Sequence, residues 1–554
     1  MQSSLRPLKE QPFNENDGQL VLTHLLFAFG ALLLGGIAGL LQGLVRGGTM
    51  KLPHGIGYYQ LLTAHGVLMA LVFTTFFIIG FLYSGVSKST GKLLPRTLAL
   101  GWTGFLLMGF GTLIAVVFIL LNKATVLYTF YAPMKASPWF YVALALVVVG
   151  SWLSGYGIFY QYYVWRKMNP GRKSPLFSFM SVVTMVLWQV ATLGVAAEVL
   201  IQLIPWSFGW VDTINVLLSR TLFWYFGHPL VYFWLLPAYI CWYVIIPKII
   251  GGRIYSDSLA RLSFLLLFIF SIPVGFHHQL MEPGISDFWK FLQVVLTLMV
   301  VVPSLMTAFS LFATFELAGR TKGAKGLFGW VKTLPFRDVR FFAPFMGMVI
   351  FIPAGAGGII NASYQLDQVV HNTLWVTGHF HLTVASSVAL TFFGIAYWLI
   401  PAVTNRRMTP RINKLGLWQT WIWIIGMFLM SGSMHTVGLV GSPRRTAYTT
   451  YGGAVEAAGW IPYHVAMAIG GSILFVGILL LMYIIIEILR SPKGAEIEEF
   501  PIGEEQDGAE EPPKLFERWS LWIGITVVLV FIAYTIPVVD IINNGVNSPG
   551  YKTW

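Results

Sequence analysis

The stretch TLWVTGHFHLTVASSVALTFFGIAYWLIPA (Thr373–Ala402) is a hydrophobic run long enough to cross a membrane as a single α-helix. Near its start it carries two histidines, His379 and His381, one residue apart. Successive residues of an α-helix are turned by about 100°, so these two imidazoles project about 200° apart and face different neighbours. Because neutral imidazole is the commonest metal-ligating side chain, the pattern predicts a helix that divides two metal centres.

The rest of the chain shares this hydrophobic character. Of its 554 residues, 56% are hydrophobic and only 10% are charged, and its mean hydropathy is +0.71. Such a composition excludes a soluble globular protein and predicts an all-α polytopic membrane protein. Thirteen apolar segments have the length of a transmembrane helix. They cover residues 21–45, 59–84, 98–121, 139–165, 177–204, 221–249, 259–281, 287–317, 341–363, 373–402, 416–440, 461–489 and 518–543.

These segments divide the chain into four regions. We expect a cytoplasmic tail at 1–20, a core of twelve helices at 21–489, an acidic cytoplasmic loop at 490–517, and a thirteenth helix with an outer tail at 518–554. The first segment has no small-residue cleavage site after a short apolar core, so it is expected to be a retained helix. The stretch Glu496–Pro513 is acidic and contains proline, which predicts a mobile, solvated loop.

Basic residues predict the orientation of the chain. The N-terminal tail and the even-numbered loops hold about 25 of the 35 Lys and Arg residues, and such residues in short loops stay in the cytoplasm. We therefore expect the N-terminus inside and the C-terminus outside. The net charge of +12 follows from this bias and from contact with anionic membrane lipid, so it does not indicate a nucleic-acid partner.

A polar stripe runs along the sixth segment. His228 and Tyr232 are four residues apart and therefore lie on one face of the helix, and Tyr239 and Tyr243 continue nearly the same stripe. Aromatic packing with locally satisfied hydroxyls is the alternative interpretation. In the second segment, His65 is followed by Gly66, whose missing side chain would let a flat macrocycle approach.

The seventh segment contains the adjacent pair His277 and His278. Neighbours on a regular helix diverge by about 100°, so joint ligation requires a distorted backbone. Pro273 and Gly275 in the preceding turn supply a cause for that distortion. With His228 the pair forms a set of three imidazoles suited to copper or zinc, whereas alone it could be merely interfacial.

Further polar residues lie in the eighth segment and the outward loops. Ser304 and Thr307 share a face of their helix, where hydroxyls usually bond their own backbone and less often form a proton path. An adjacent arginine pair suits carboxylate or phosphate groups by forked hydrogen bonding, or else anchors lipid. The loop residues of interest are Asp367, His371, Arg444 and Arg445.

Other polar residues have no partner that spacing identifies. Glu198 lies inside the fifth segment and must be protonated, paired or hydrated there. The single cysteine, Cys241, excludes an intrachain disulfide and is expected to be a buried structural thiol. Structural or interfacial roles are expected for His24, His54, His435 and His464.

Four motifs now stand in order along the chain: GHPLVY (227–232), GFHHQ (275–279), TGHFHL (377–382) and SPRR (442–445). Together with the upstream His65 and thirteen apolar segments, they resemble subunit I of the haem–copper oxygen reductases. The resemblance extends along nearly the whole chain. Leu230 stands where the larger A-type branch has a glutamate, so the chain looks like the B-type branch.

The resemblance implies a role for each of six histidines, which we count together as the histidines of the motifs: the five within the four motifs, and His65. His65 and His381 would be the axial ligands of a low-spin haem, expected to be haem B. His379 would be the proximal ligand of a high-spin haem of A or O type. The copper ligands it implies are His228, His277 and His278. Tyr232 would be covalently joined to His228 and would supply an electron and a proton for oxygen-bond cleavage.

The resemblance also implies routes for protons. Arg444 and Arg445 would pair with haem propionates, and Asp367 and His371 would lie near the outward release region. Leu230 in place of the A-type glutamate suggests a single inward path. That path would lead to Tyr232 through Ser256, Tyr243, Thr307, Ser304 and Tyr239.

The activity implied is reduction of dioxygen to water by a terminal respiratory oxidase in the prokaryotic plasma membrane, with proton uptake from the cytoplasm and proton pumping. A second subunit would carry any dinuclear copper site, because this chain has one cysteine. Cytochrome c is the expected electron donor and quinol the alternative. The rival functions are a nitric-oxide reductase with non-haem iron, a histidine-relay transporter without haem, and a non-catalytic haem scaffold.

Overall fold

The computed structural model describes residues 11–447, 450–494, 499–508, 511–552 and 554. Within them, twelve helices are long and apolar enough to cross a membrane, as expected for an all-α polytopic membrane protein. We number the helices in chain order and include a shorter seventh one. They are α1 (Glu15–Arg46), α2 (Tyr58–Thr90), α3 (Pro95–Leu120), α4 (Pro138–Met168), α5 (Leu176–Phe208), α6 (Val216–Ile249), α7 (Asp257–Ser271), α8 (Asp287–Thr321), α9 (Val339–Ala362), α10 (Leu374–Thr404), α11 (Pro410–Leu439), α12 (Val455–Arg490) and α13 (Trp519–Asn544).

Helix α7 is shorter than its apolar segment. The expected segment 259–281 divides into the 15-residue helix Asp257–Ser271 and a 3₁₀ turn at Phe276–Gln279. A helix of that length spans about 22 Å, which is less than the hydrocarbon core of a bilayer. Pro273 has no N–H to continue the helical ladder. The expected distortion before the histidine pair is thus present.

Several elements interrupt or connect the long helices. π-Helical turns lie within α2, α5, α6 and α10, at Val67–Phe73, Glu198–Leu203, Cys241–Ile245 and Thr383–Val388. Within α8 and α12, the regular helical parts are Asp287–Leu298 and Val301–Thr321, and Val455–Ala458 and Ile461–Arg490. A short helix covers Tyr364–Val370, and 3₁₀ turns cover Gly329–Thr333, Tyr451–Gly453 and Lys514–Glu517. The strands β1 (Ile214–Asn215) and β2 (Asn547–Ser548) pair antiparallel, with Ile214 opposite Ser548.

The helices pack as one bundle. Neighbours in sequence contact each other, including α3 with α4, α5 with α6, and α11 with α12, and α1 packs against α12. Helices α2, α6 and α10 are the most deeply buried of the twelve. Because they carry four of the six histidines of the motifs, those side chains lie at the centre of the bundle rather than against lipid.

The acidic segment after α12 is expected to be a mobile loop, but in the structure its described residues contact the bundle. Its described residues are docked on the end of the bundle by ion pairs, including Lys173–Glu505 at 2.6 Å and the contact of Arg166 with Glu517. Phe500 is 1% exposed and packs against Trp398, with ring centroids 5.1 Å apart. Part of the expected tail, 1–10, and parts of the expected loop, 495–498 and 509–510, lie outside the described residues.

A buried charge network at this end makes a stability prediction. Arg261 is 1% exposed and donates from Nε to Asp257 Oδ2 at 2.7 Å. Substituting Arg261→Met leaves the buried carboxylate without its cation, so the free energy of unfolding should fall by about 3–5 kcal/mol. The half-exposed pair Arg320–Glu316 has the same four-residue spacing and is the matched control. Arg320→Met should cost about 0.3–0.5 kcal/mol. If Arg261→Met and Arg320→Met shift the unfolding transition in detergent equally, the buried ion pair contributes no more to stability than the half-exposed one, and the prediction is wrong.

Candidate metal centre

One cavity of about 860 Å³ lies between the buried helices. This volume is near the upper end of the range for small-molecule and cofactor sites, about 300–1,000 Å³. Its lining includes all six histidines of the motifs together with Tyr232. The chain therefore brings together residues that are separated by more than 300 positions in sequence. The histidines of the lining are His65, His228, His277, His278, His379 and His381.

Three of these imidazoles form a compact cluster. One ring nitrogen from each of His228, His277 and His278 lies within 4.8 Å of the others. His228 Nδ1 and His278 Nε2 are 3.3 Å apart. Two nitrogens that each lie about 2.0 Å from one tetrahedral metal ion are about 3.3 Å apart, so this spacing fits a shared ion. His228 Nε2 is buried without a hydrogen-bond partner among the described residues.

The hydrogen bonds of Thr297 on α8 determine which ring nitrogen of His277 is free to bind a metal ion. The Thr297 hydroxyl donates its one hydrogen to the backbone carbonyl of Gln293 at 2.6 Å. Its oxygen, 3.0 Å from His277 Nδ1, must therefore accept a hydrogen from that nitrogen. Nε2 of His277 then carries a lone pair, the form in which neutral imidazole binds metal.

A second arrangement places His65 opposite His381. Their rings are nearly parallel, at 11°, with centroids 6.1 Å apart. Nδ1 of His65 donates to the Gly35 carbonyl at 2.9 Å, and Nδ1 of His381 donates to the Thr377 carbonyl at 2.8 Å. Each ring therefore keeps an unprotonated Nε2, and both rings line the cavity. Two such imidazoles could bind one metal ion together.

His379 faces a different part of the cavity from His381, as the helical spacing predicts. Its ring lies nearly parallel to that of Trp375, at 12° with centroids 6.0 Å apart, and it is directed at α9. A Cβ atom at Gly357 would lie 2.6 Å from His379 Nδ1, so glycine makes room for the imidazole. The helix α10 thus presents two imidazoles to different neighbours. Gly66 lines the cavity as well, but a Cβ there would first meet Tyr128, 2.8 Å away.

Tyr232 lies beside the three-histidine cluster, with its ring centroid 5.0 Å from that of His228. The other hydroxyls of the polar stripe also have neighbours. Tyr239 lies next to Ser304, and Tyr243 lies next to Thr307. These contacts join four of the five residues expected in the inward path into two pairs.

The fifth residue of that path is placed apart. Ser256 Oγ accepts from the Leu259 N–H at 3.1 Å and caps the first turn of α7. The described hydrogen bonds do not connect it to Tyr243. Two further hydroxyls, Ser263 and Ser310, contact Tyr243 instead, with Ser263 Oγ 3.4 Å from the phenol oxygen.

One rim of the cavity, formed by residues expected in the outward loops, is charged. Arg444 donates from Nη2 to Asn372 Oδ1 at 3.0 Å, and the Arg445 guanidinium lies 5.1 Å from the Tyr131 ring centroid. Burial, with the adjacent Arg445, lowers the pKa of Arg444 to about 10, so its side chain remains cationic at neutral pH. Asp367 and His371 form a pair at 2.8 Å and line the same cavity.

The structure adds residues to those predicted from the sequence. Trp224 stacks on His278 with ring centroids 3.8 Å apart, and Arg46 of α1 reaches the cavity rim by donating to the Pro443 carbonyl at 2.7 Å. Trp224 precedes His228 by four residues, a helical spacing that could have indicated it. The contacts of Thr297 and Arg46 join distant segments and leave no such pattern in the sequence.

The polar residues without an assigned partner are placed as follows. Glu198 is buried, and its carboxyl group accepts a hydrogen bond from the neutral Ser219 hydroxyl at 2.7 Å. Cys241 is buried, as expected of a structural thiol. His24 and His464 are buried, His435 is half-buried and His54 is exposed.

The chain resembles known proteins along most of its length. Residues 19–473 match the family model described as cytochrome c and quinol oxidase polypeptide I. Cytochrome c oxidase subunit 1 of Thermus thermophilus is 41% identical over 546 residues, with 96% of each chain covered. Quinol oxidase subunit 1 of Bacillus subtilis is 24% identical, over 84% of this chain and 70% of the relative.

A solved structure agrees with these matches. A cryo-EM structure of a heme-copper terminal oxidase dimer has a TM-score of 0.91 and 37% identity, and covers 98% of this chain and 96% of that chain. Family model, relatives and fold thus point to the same group. The chain belongs to the cytochrome c and quinol oxidase polypeptide I family, the catalytic subunits of the haem–copper oxidases.

Proposed function

We propose that this chain is subunit I of a terminal respiratory oxidase that reduces dioxygen to water. The observation that carries the proposal is the single cavity in which a facing imidazole pair, a separate imidazole and a three-imidazole cluster lie together with Tyr232. The membership of the family supports the same chemistry.

The donor atoms fit two haems and one copper ion. His65 and His381 would hold a low-spin haem, because both rings keep an unprotonated Nε2 and line the same cavity 6.1 Å apart. His379 would hold a high-spin haem. The three-histidine cluster would hold copper, since its free nitrogens have the spacing of ligands to one ion. When bound, these groups would supply the electron transfer and oxygen reduction. We propose haem B for the low-spin site and haem A or O for the high-spin site.

The residues of the chain would position these groups and move protons. The Tyr232 hydroxyl would supply a proton and an electron at the oxygen site, and His228 Nε2, which has no described partner, is the nitrogen available for a covalent link to it. Arg444 and Arg445 would hold haem propionates. Asp367 and His371 would receive protons on the outward side.

Proton supply would follow one inward path, as in the B-type branch. The buried Leu230 offers no titratable group at the place of the A-type glutamate. The proximity of Tyr239 to Ser304 and of Tyr243 to Thr307 supports the inner part of the path. Ser256, which caps the first turn of α7, would be the entrance of the path. We propose that protons are pumped as well as consumed.

Partners and location follow from the relatives and from the chain. We propose cytochrome c as electron donor, because the 41% identical relative is named cytochrome c oxidase subunit 1, with quinol as the alternative. A second subunit would carry a dinuclear copper site. The distribution of basic residues supports a cytoplasmic N-terminus in a prokaryotic plasma membrane.

The three-histidine cluster argues against the alternative function, a nitric-oxide reductase. Among the described residues, the group that could hold a metal contains three histidines and no carboxylate. A non-haem iron site with glutamate ligands would need one. Histidine-only donors favour copper, and Tyr232 beside them favours the oxidase.

An optical spectrum tests the proposal. We expect the dithionite-reduced minus air-oxidised spectrum of the purified protein to show two haems, one of which binds carbon monoxide. Metal analysis should find one copper for two irons in this subunit. Iron without copper would favour the nitric-oxide reductase, and a protein without haem would favour the transporter.

A glycine of α1 provides a local test of the low-spin site. A Cβ atom at Gly39 would lie 2.6 Å from His65 Nδ1, so Gly39→Ala should displace the imidazole and break its bond to Gly35. Loss of such an outer partner weakens metal sites about 10–100-fold, and we expect selective loss of the low-spin haem absorbance. Gly30→Ala on the same helix meets nothing within 4 Å and should leave the spectrum unchanged. An unaltered low-spin band in Gly39→Ala would contradict the pairing of His65 with this haem.

A further inference from the structure

The buried side chain of Gln293 on α8 forms hydrogen bonds with the backbone at two places where regular helix is interrupted, one after α7 and one within α13. Its Oε1 accepts from the N–H groups of Gly275 and Phe276, at 2.7 and 2.8 Å. Both donors lie after the end of α7 and directly before His277, so the regular helix does not satisfy them. A buried N–H left without an acceptor is costly, and this one amide oxygen satisfies two of them.

The nitrogen of the same amide supplies a hydrogen-bond donor that is missing within α13. Pro537 lies inside that helix and has no N–H, so the carbonyl four residues earlier, at Ala533, loses its helical donor. Gln293 Nε2 donates to this carbonyl at 3.2 Å. The side chain is 0% exposed, and both of its polar atoms are engaged with backbone groups of other elements.

Gln293 and Thr297 lie one turn apart on α8 and act on the same ligand. Thr297 contacts the His277 ring at Nδ1, whereas Gln293 holds the backbone from which that ring projects. The turn brings His277 and His278 to the same point as His228, with the ring centroids of His277 and His228 4.2 Å apart.

We infer that Gln293 is a positioning residue: it fixes the turn that presents His277 and His278 to the metal and couples that turn to α13 at Ala533. The inference rests on the proposed copper site. It assigns α13 a part in the metal centre, although that helix contributes none of the six histidines.

Copper retention and amide exchange test the inference in the purified full-chain complex. Gln293→Leu removes both hydrogen-bonding functions at similar volume, and we expect copper to be lost to a chelator about 10–100-fold more readily, with both haem bands retained. Gln293→Glu keeps an oxygen that accepts from the two N–H groups and should restore most of the copper. Without copper present, the amides of residues 275–278 should exchange about 10-fold faster in Gln293→Leu.

A matched variant separates positioning from general stability. Gln419 of α11 is also 0% exposed and accepts from the Tyr397 hydroxyl at 2.9 Å, away from the cavity. Gln419→Leu should keep the wild-type copper content. Equal copper loss in Gln293→Leu and Gln419→Leu, or unchanged copper and exchange in Gln293→Leu, would overturn the inference.

Two further outcomes are distinguishable. A wild-type complex with no copper would overturn the proposed function, and the exchange rates of residues 275–278 would then decide the positioning role alone. If Gln293→Leu does not assemble, Pro537→Ala decides the matter, because the restored N–H competes for the Ala533 carbonyl. Faster exchange at residues 275–278 in that variant supports the coupling, and wild-type exchange there overturns it.

Discussion

Replacing His278 with alanine is expected to abolish copper binding and oxygen consumption while both haems remain. His278 Nε2 lies 3.3 Å from His228 Nδ1, so the substitution removes one of three converging nitrogens. The affinity for copper should fall by more than about 100-fold, the upper end of the loss seen for outer partners of a metal site. The proposed haem ligands His65, His379 and His381 lie on the helices α2 and α10 and keep their contacts.

The measurement is the ratio of copper to iron, combined with the reduced-minus-oxidised spectrum and the rate of oxygen consumption. His24→Ala is the matched control, because His24 is buried and packs 5.0 Å from Phe105, outside the cavity lining. It removes a buried imidazole of α1 without touching the cluster. Wild-type turnover and copper content in His278→Ala would remove the proposed copper site.

The arrangement of the histidines could be predicted from the sequence because helical geometry is local. A one-residue separation on a helix forces His379 and His381 to different sides, and in the structure His381 faces His65 whereas His379 lies beside Trp375. The four-residue spacing of His228 and Tyr232 likewise brings their rings to 5.0 Å. Such relations depend only on positions within one helix.

The boundaries of α7 could not be predicted from hydropathy. The residues from 259 to 281 are mostly apolar, but the regular helix ends at Ser271 because hydrogen bonding, not hydrophobicity, defines it. The acceptor that allows the chain to leave the helix is Gln293, and its second partner, Ala533, lies 240 residues further along the chain. Contacts of this range leave no periodic pattern in the sequence.

The acidic segment shows a similar limit. Its charge and proline content predict solvated chain, since composition alone measures the tendency to bury apolar surface. In the structure, individual pairs such as Lys173–Glu505 and the buried ring of Phe500 dock its described residues. Tertiary partners that lie far apart in sequence therefore outweigh the local composition.

Replacing Tyr232 with phenylalanine is expected to reduce turnover about 100- to 10,000-fold with full metal and haem content. The substitution removes only the hydroxyl, and the ring keeps its place 5.0 Å from the His228 ring. A positioned proton donor is commonly worth that factor in rate. Because the three-histidine cluster keeps all its nitrogens, the copper-to-iron ratio should not change.

Tyr225→Phe distinguishes loss of this hydroxyl from a general effect of removing one from α6. Tyr225 lies on the same helix and packs against Tyr534, with centroids 5.2 Å apart, but it does not line the cavity. Its variant should turn over at the wild-type rate. If the two variants have equal rates at equal copper content, then the phenol of Tyr232 supplies neither proton nor electron. The proton and the electron for cleavage of the oxygen bond would in that case have to come from groups other than Tyr232.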